Sequence, residues 1–157
     1  MEFLFNKLST LFIEFIGFVS SKLSARKRTG FGRGLGRILI LLDRKRFAIT
    51  RDNLSKAFPE KDGEWTKRIA RLSYENLGTT FVELFTFPYF SDEDFRYYVN
   101  YENIDVIARA KARGNGVILL SGHFGNWELL AYTAGLFTGD GAQIIVRDQK
   151  NSVLDKL

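Results

Sequence analysis

The chain has 157 residues, 45% hydrophobic and 15% aromatic, with a net charge of +5 and a pI near 9.5. The length suffices for one domain and apolar surface is abundant, while the net positive charge excludes an acidic disordered tail and favours an anionic partner. The lack of cysteine excludes disulfides and thiolate metal sites, and a single histidine excludes a multi-histidine zinc site, so no metal is expected.

Residues Phe3 to Leu23 are mostly apolar and approach the roughly 20 residues that cross a bilayer. Lys7 and Glu14 interrupt the run, and a charge at a helix centre costs about 2.5–3.5 kcal/mol on insertion scales. On a helix, Lys7, Thr10, Glu14 and Ser21 form one polar stripe, with Phe and Leu covering the rest. Residues 1–24 are therefore expected to be a membrane anchor, either an amphipathic helix lying in the surface plane or a span whose polar stripe faces protein. Ten Lys or Arg and a single acid, Asp43, follow between Lys22 and Arg51. Positive charge after the apolar run argues against an export signal and places this block on the cytoplasmic side. It reads equally as attraction to an anionic leaflet or as a solvated surface. Its glycines, Gly30, Gly32, Gly34 and Gly36, do not make a phosphate loop, because no Gly-Lys-Ser/Thr follows and no strand precedes them. No nucleic-acid-binding signature accompanies the charge, so no nucleic acid partner is expected.

The region 25–113 reads as helical. Leu35 to Leu42 continue apolar, and Asp52 to Phe58 form a short helix ending before Pro59. After the Asp62-Gly63 turn, Ile69, Leu72, Leu77, Phe81, Leu84 and Phe85 recur at helical spacing from about Glu64 to Phe87, where Pro88 stops the helix. Ser91-Asp92-Glu93-Asp94 is a capping-type start. Tyr98 to Tyr101 can be a short extended piece, and Ile104, Ile107 and Ala108 mark another helix closed by Gly114-Asn115-Gly116. From 114 to 157 the pattern changes. Val117 to Ser121 is a continuous apolar run of the kind found in buried parallel strands. A turn, a helix from Asn126 to Phe137, a second turn at Gly139-Asp140-Gly141 and a second strand from Gln143 to Arg147 complete a β-α-β unit. The expected class is thus α/β. Two strands do not make a stable sheet, so the α/β part is expected to be incomplete at its C-terminus, the chain being a fragment.

The chemistry-bearing stretch is Ser121-Gly122-His123-Phe124-Gly125-Asn126-Trp127-Glu128. Residues five apart on one helix lie about 140° from each other and cannot meet. They can meet if His123 lies in the loop and Glu128 in the first helical turn, with Gly122 and Gly125 giving the loop its permissive backbone. A neutral imidazole accepts a proton near neutral pH, and a carboxylate on its other nitrogen fixes the tautomer and stabilises the imidazolium. The acceptor substrate can then supply the attacking hydroxyl. Backbone N–H groups at the helix start, about Gly125, and the Asn126 side chain are the candidate oxyanion donors. Taken singly, His123 is as well explained as a structural histidine and Glu128 as a carboxylate favoured by the helix dipole. Trp127 reads as a core or interface anchor. Arg147 suits either a bound phosphate or a strand end in solvent.

The segment Gly122 to Glu128 resembles the signature of the bacterial lipid A biosynthesis late acyltransferases, the lauroyl/myristoyl transferases of the lysophospholipid acyltransferase superfamily, with its His-(four residues)-Asp/Glu motif. Gly34-Leu35-Gly36-Arg37, Arg51-Asp52-Asn53-Leu54, Ala57-Phe58-Pro59-Glu60, the helix around Tyr74 to Glu83, and Ile145-Val146-Arg147 with Asn151 are also similar to that family. The resemblance implies an enzyme on the cytoplasmic face of the bacterial inner membrane that moves an acyl chain from acyl carrier protein to a hydroxyl of a lipid A precursor. His123 would be the base, Glu128 its partner, and Arg147 the arginine for the acceptor's phosphate; Asn126 and Gly125 remain the other substrate-binding candidates. Acyl carrier protein, a glycolipid acceptor and membrane lipid are the implied partners, and no cofactor is implied. Residues 25–157 would be part of a glycerolipid-acyltransferase-like domain, because family members are longer and their later motif blocks have no counterpart here. Two alternatives are a superfamily enzyme with another glycolipid or phospholipid acceptor, and an inactive membrane-binding fragment.

Overall fold

Local signals set most of the helix boundaries. In the computed structural model, which describes residues 2–139 with side chains from Lys7 onward, the α-helices are α1 Glu2–Ser21, α2 Ala25–Leu42, α3 Arg44–Ala57, α4 Gly63–Thr86, α5 Asp92–Tyr98, α6 Asp105–Lys111 and α7 Trp127–Thr138. Asp43 caps α3 through Arg46 N at 3.1 Å, and Asp62 caps α4 through Trp65 N at 2.7 Å, each satisfying a donor that the first helical turn leaves open. Ser91 and Asp94 form a reciprocal capping box at the start of α5, as the sequence predicts. A 3-10 turn over Phe87–Tyr89 carries Pro88, which ends α4.

The chain divides into two compact units, one of Ile13–Pro88 and one made of the residues up to Phe12 and from Tyr89 onward. The first is built on the contact between α2 and α4. Arg28, Gly32 and Gly36 are buried on α2, and Thr66, Ala70, Glu75, Gly78, Val82 and Thr86 on α4. The four-residue spacing on α2 and the three-to-five-residue spacing on α4 make two stripes of mostly small side chains, and small side chains let helix backbones approach closely. A Cβ on Gly32 would lie 2.5 Å from Thr79 Cα, and one on Gly36 would lie 2.7 Å from Glu75 Cα and run into the Tyr74 carbonyl. Gly30 and Gly34 face open space. The glycines of the basic block are thus a helix seam on one face only. Arg28 donates from Nε to Ser20 O and from Nη2 to Leu23 O, at 3.2 and 3.1 Å, so a residue of α2 satisfies carbonyls at the end of α1. Arg37 Nε meets Glu75 Oε1 at 2.8 Å across the seam, and Phe47 packs edge-on to Tyr74 at 5.5 Å between α3 and α4.

Large apolar side chains do not lead this packing. The predicted α4 stripe is only half-buried at Ile69, Leu77, Leu84 and Phe85, and Leu72 and Phe81 are exposed. On α1, Leu8, Leu11, Phe12, Phe15 and Phe18 are exposed, whereas Ile16, Gly17 and Ser20 are buried. Among the described residues no helix is long and apolar enough to cross a membrane.

The α/β expectation is corrected by the structure. The described residues are all helix, turn and irregular chain, with no strand. The predicted first strand, Val117 to Ser121, has no regular structure, and its Ile118 and Leu120 are 95% and 97% exposed. A continuous apolar run reports a tendency to be buried, but a strand exists only where a neighbour supplies the ladder of backbone hydrogen bonds. No such neighbour flanks this run among the described residues. The β-α-β unit is therefore not the setting of α7. The predicted second strand, Gln143 to Arg147, lies outside the described residues.

Candidate functional site

The second unit holds α7 by polar and aromatic contacts. Phe95 of α5 is fully buried, with its ring 4.7 Å from Tyr132 on α7. Tyr101 packs 4.8 Å from Phe137, donates its hydroxyl to Leu130 O at 2.9 Å and lies 2.8 Å from Thr133 Oγ1, which is fully buried. Arg96 donates to Leu136 O at 3.2 Å, and its guanidinium lies over the Phe137 ring. Tyr98 to Tyr101, expected as extended, begins with the last residue of α5 and continues through an extended Val99, which delivers Tyr101 to α7.

Asn126 starts α7. Its Oδ1 accepts from Leu129 N at 3.0 Å, and residues of this type are favoured at the cap because they satisfy one open N–H. The amide oxygen, an acceptor, serves as the cap; the donor of this side chain is its NH2 group. Ahead of it, Phe124 N donates to Gly122 O at 2.8 Å, which closes a three-residue γ-turn with His123 at its centre. Gly125 then takes φ +60°, a left-handed conformation that costs an L side chain about 1–2 kcal/mol. Gly122 has no such requirement. His123 thus lies in the loop and Glu128 in the first turn of α7.

The imidazole and the carboxylate both contact Trp127. The His123 ring lies 4.8 Å from the Trp127 ring at a tilt of 49°, and Trp127 Nε1 donates to Glu128 Oε1 at 3.0 Å. No hydrogen bond joins His123 directly to Glu128 among the described residues. His123, Phe124, Gly125 and Glu128 are exposed, and Asn126 and Trp127 are half-buried. The four-residue interval from His123 and the place beside Glu128 are the signals that point to Trp127; reading it only as an anchor misses its contact with both. Arg147 lies outside the described residues. No group of three or more metal-ligating side chains occurs among the described residues. Such a site offers a solvent-accessible imidazole for proton transfer, a carboxylate that shares Trp127 with it, and the open N–H groups of a helix start.

The family model for bacterial lipid A biosynthesis acyltransferases matches residues 4–157. The chain is similar to the lipid A biosynthesis palmitoleoyltransferase of Escherichia coli (strain K12), at 28% identity over 93 residues, 59% of this chain and 30% of that protein. The lipid A biosynthesis acyltransferase of Shigella flexneri matches with the same identity and coverage. These matches thus span about a third of the relatives' length. No solved structure matches the chain.

Proposed function

Because the chain belongs to the bacterial lipid A biosynthesis acyltransferase family, we propose that it transfers a fatty acyl chain from acyl carrier protein to a hydroxyl of a lipid A precursor. The observation that carries this reading is the turn into α7, where His123 and Glu128 both contact Trp127. In the proposed reaction His123 takes the proton of the acceptor hydroxyl as the oxygen attacks the thioester carbonyl. The tetrahedral intermediate collapses, the C–S bond breaks, an ester forms, and the imidazolium returns the proton to the departing thiolate. Base catalysis of this kind contributes about 10²–10⁴-fold. Glu128 orients and stabilises the imidazolium. N–H groups at the start of α7, about Gly125, and the Asn126 amide nitrogen stabilise the oxyanion. Arg147 binds a phosphate of the acceptor. The exposed apolar side chains of α1 and the basic block from Lys22 onward support action at the cytoplasmic face of the inner membrane, where anionic lipid and an acidic carrier both find complementary charge.

The test is release of carrier thiol from acyl carrier protein, followed with a thiol reagent in the presence of lipid A precursor. Wild-type chain turns over, and His123→Ala falls by about 10²-fold or more. Equal rates for the two reject His123 as the base, and no turnover by either rejects the enzymatic reading in favour of an inactive membrane-binding chain.

A further inference from the structure

An exposed histidine on a three-residue turn and an exposed glutamate at a helix start each have wide rotamer freedom, yet base catalysis needs both in one geometry. Trp127 is the side chain that limits both. Its ring rests against the imidazole, and its Nε1–H holds one carboxylate oxygen. A carboxylate accepts at two oxygens, so the bond to Oε1 leaves Oε2 available for an imidazole N–H. Its own backbone is held by α7, whose capped first turn gives the indole a fixed base.

We propose that Trp127 is a positioning residue for His123 and Glu128, an inference that rests on the acyl-transfer reading above. The indole orients the imidazole through ring contact and restrains the carboxylate through its N–H. Its substitution therefore weakens the chemical step and spares substrate binding.

The experiment is a double-mutant cycle in the 157-residue chain, with far-UV circular dichroism confirming that each variant keeps its helices. Trp127→Phe keeps a ring against His123 and deletes the N–H; kcat falls about tenfold, as expected for a hydrogen bond to a charged group, and KM for the acyl donor changes by less than about twofold. Trp127→Leu, which removes the ring as well, falls further. Glu128→Gln falls by itself, and adding Trp127→Phe lowers it no more, because the tryptophan N–H acts through that carboxylate. Independent, multiplying losses overturn the proposal, as does a loss confined to KM. The indole N–H resonance of Trp127, told from that of Trp65 by a Trp65→Phe control, provides a readout free of activity. It moves in Glu128→Ala, which deletes the acceptor, if the contact exists, and an unmoved signal overturns the proposal while leaving the acyl-transfer reading intact. Full activity in His123→Ala removes that reading and the positioning role together, even where the resonance still reports the contact.

Discussion

Gly36→Ala on α2 is expected to destabilise the chain, although alanine is the better helix former. In an open helix interior, glycine to alanine stabilises by about 0.5–1 kcal/mol, because alanine loses less backbone entropy. Gly34 has nothing within 4 Å of an added Cβ, so Gly34→Ala should show that gain. At Gly36 the same methyl meets the Tyr74 carbonyl, and the Glu75 Cα at 2.7 Å. Both are backbone of α4 and cannot swing aside, so the helices must separate. Overpacking of this kind costs about 1–3 kcal/mol, which after subtracting the propensity gain leaves a net loss of up to about 2.5 kcal/mol. For a chain of this size that lowers Tm by up to about 10 °C. Thermal and urea unfolding followed at 222 nm compares the two variants under one set of conditions. The reasoning is refuted if Gly36→Ala matches Gly34→Ala in stability, since the α2–α4 seam would then not be in backbone contact.

Three further outcomes follow from the same contacts. Arg37→Ala should cost only about 1 kcal/mol in urea unfolding, because Arg37 is 64% exposed even though its partner Glu75 is 7% exposed, and the loss should shrink in high salt. Tyr101→Phe deletes the hydroxyl that joins Leu130 O and Thr133 Oγ1, and should lower the hydrogen-exchange protection of α7 by about 0.5–1.5 kcal/mol while leaving α4 unchanged. Gly125→Ala meets no neighbour within 4 Å but must hold φ +60°; it should cost about 1–2 kcal/mol locally and, by shifting His123, reduce acyl transfer up to about 10²-fold in the thiol-release assay.

The sequence discloses elements wherever the signal is local. Pro88 marks the end of α4, Ser91 and Asp94 mark the start of α5, and the interval from Gly125 to Glu128 places the histidine in a loop and the glutamate on a helix. It misleads where the deciding partner is distant in sequence. Gly30 to Gly36 fall in a region that reads as helical, and α2 runs through all of them although each glycine disfavours a helix by about 1 kcal/mol; what the sequence does not disclose is the seam they form. The compensation comes from α4, some 40 residues on, and no periodicity within α2 announces it. The run Val117 to Ser121 fails in the opposite sense, because its apolar character implies a ladder that the described residues do not provide. In α4 the hydrophobic periodicity identifies the helix correctly and its buried face incorrectly, because small residues determine how closely the backbones pack.

The same distinction governs how substitutions should act on function. In the Ile13–Pro88 unit, geometry is imposed by backbone against backbone, so a change there is absorbed as stability. The candidate site has no such support: from Ser121 to Glu128 only Asn126 and Trp127 are even half-buried. The restraints described on its geometry include a hydrogen bond across a γ-turn, a left-handed glycine, a helix cap and an indole. With so few restraints, losing any of them changes the position of the imidazole more than it changes the free energy of folding. Rate and stability should therefore separate: variants from Gly122 to Glu128 lose proportionally more turnover than Tm, whereas variants along the α2–α4 seam lose Tm first.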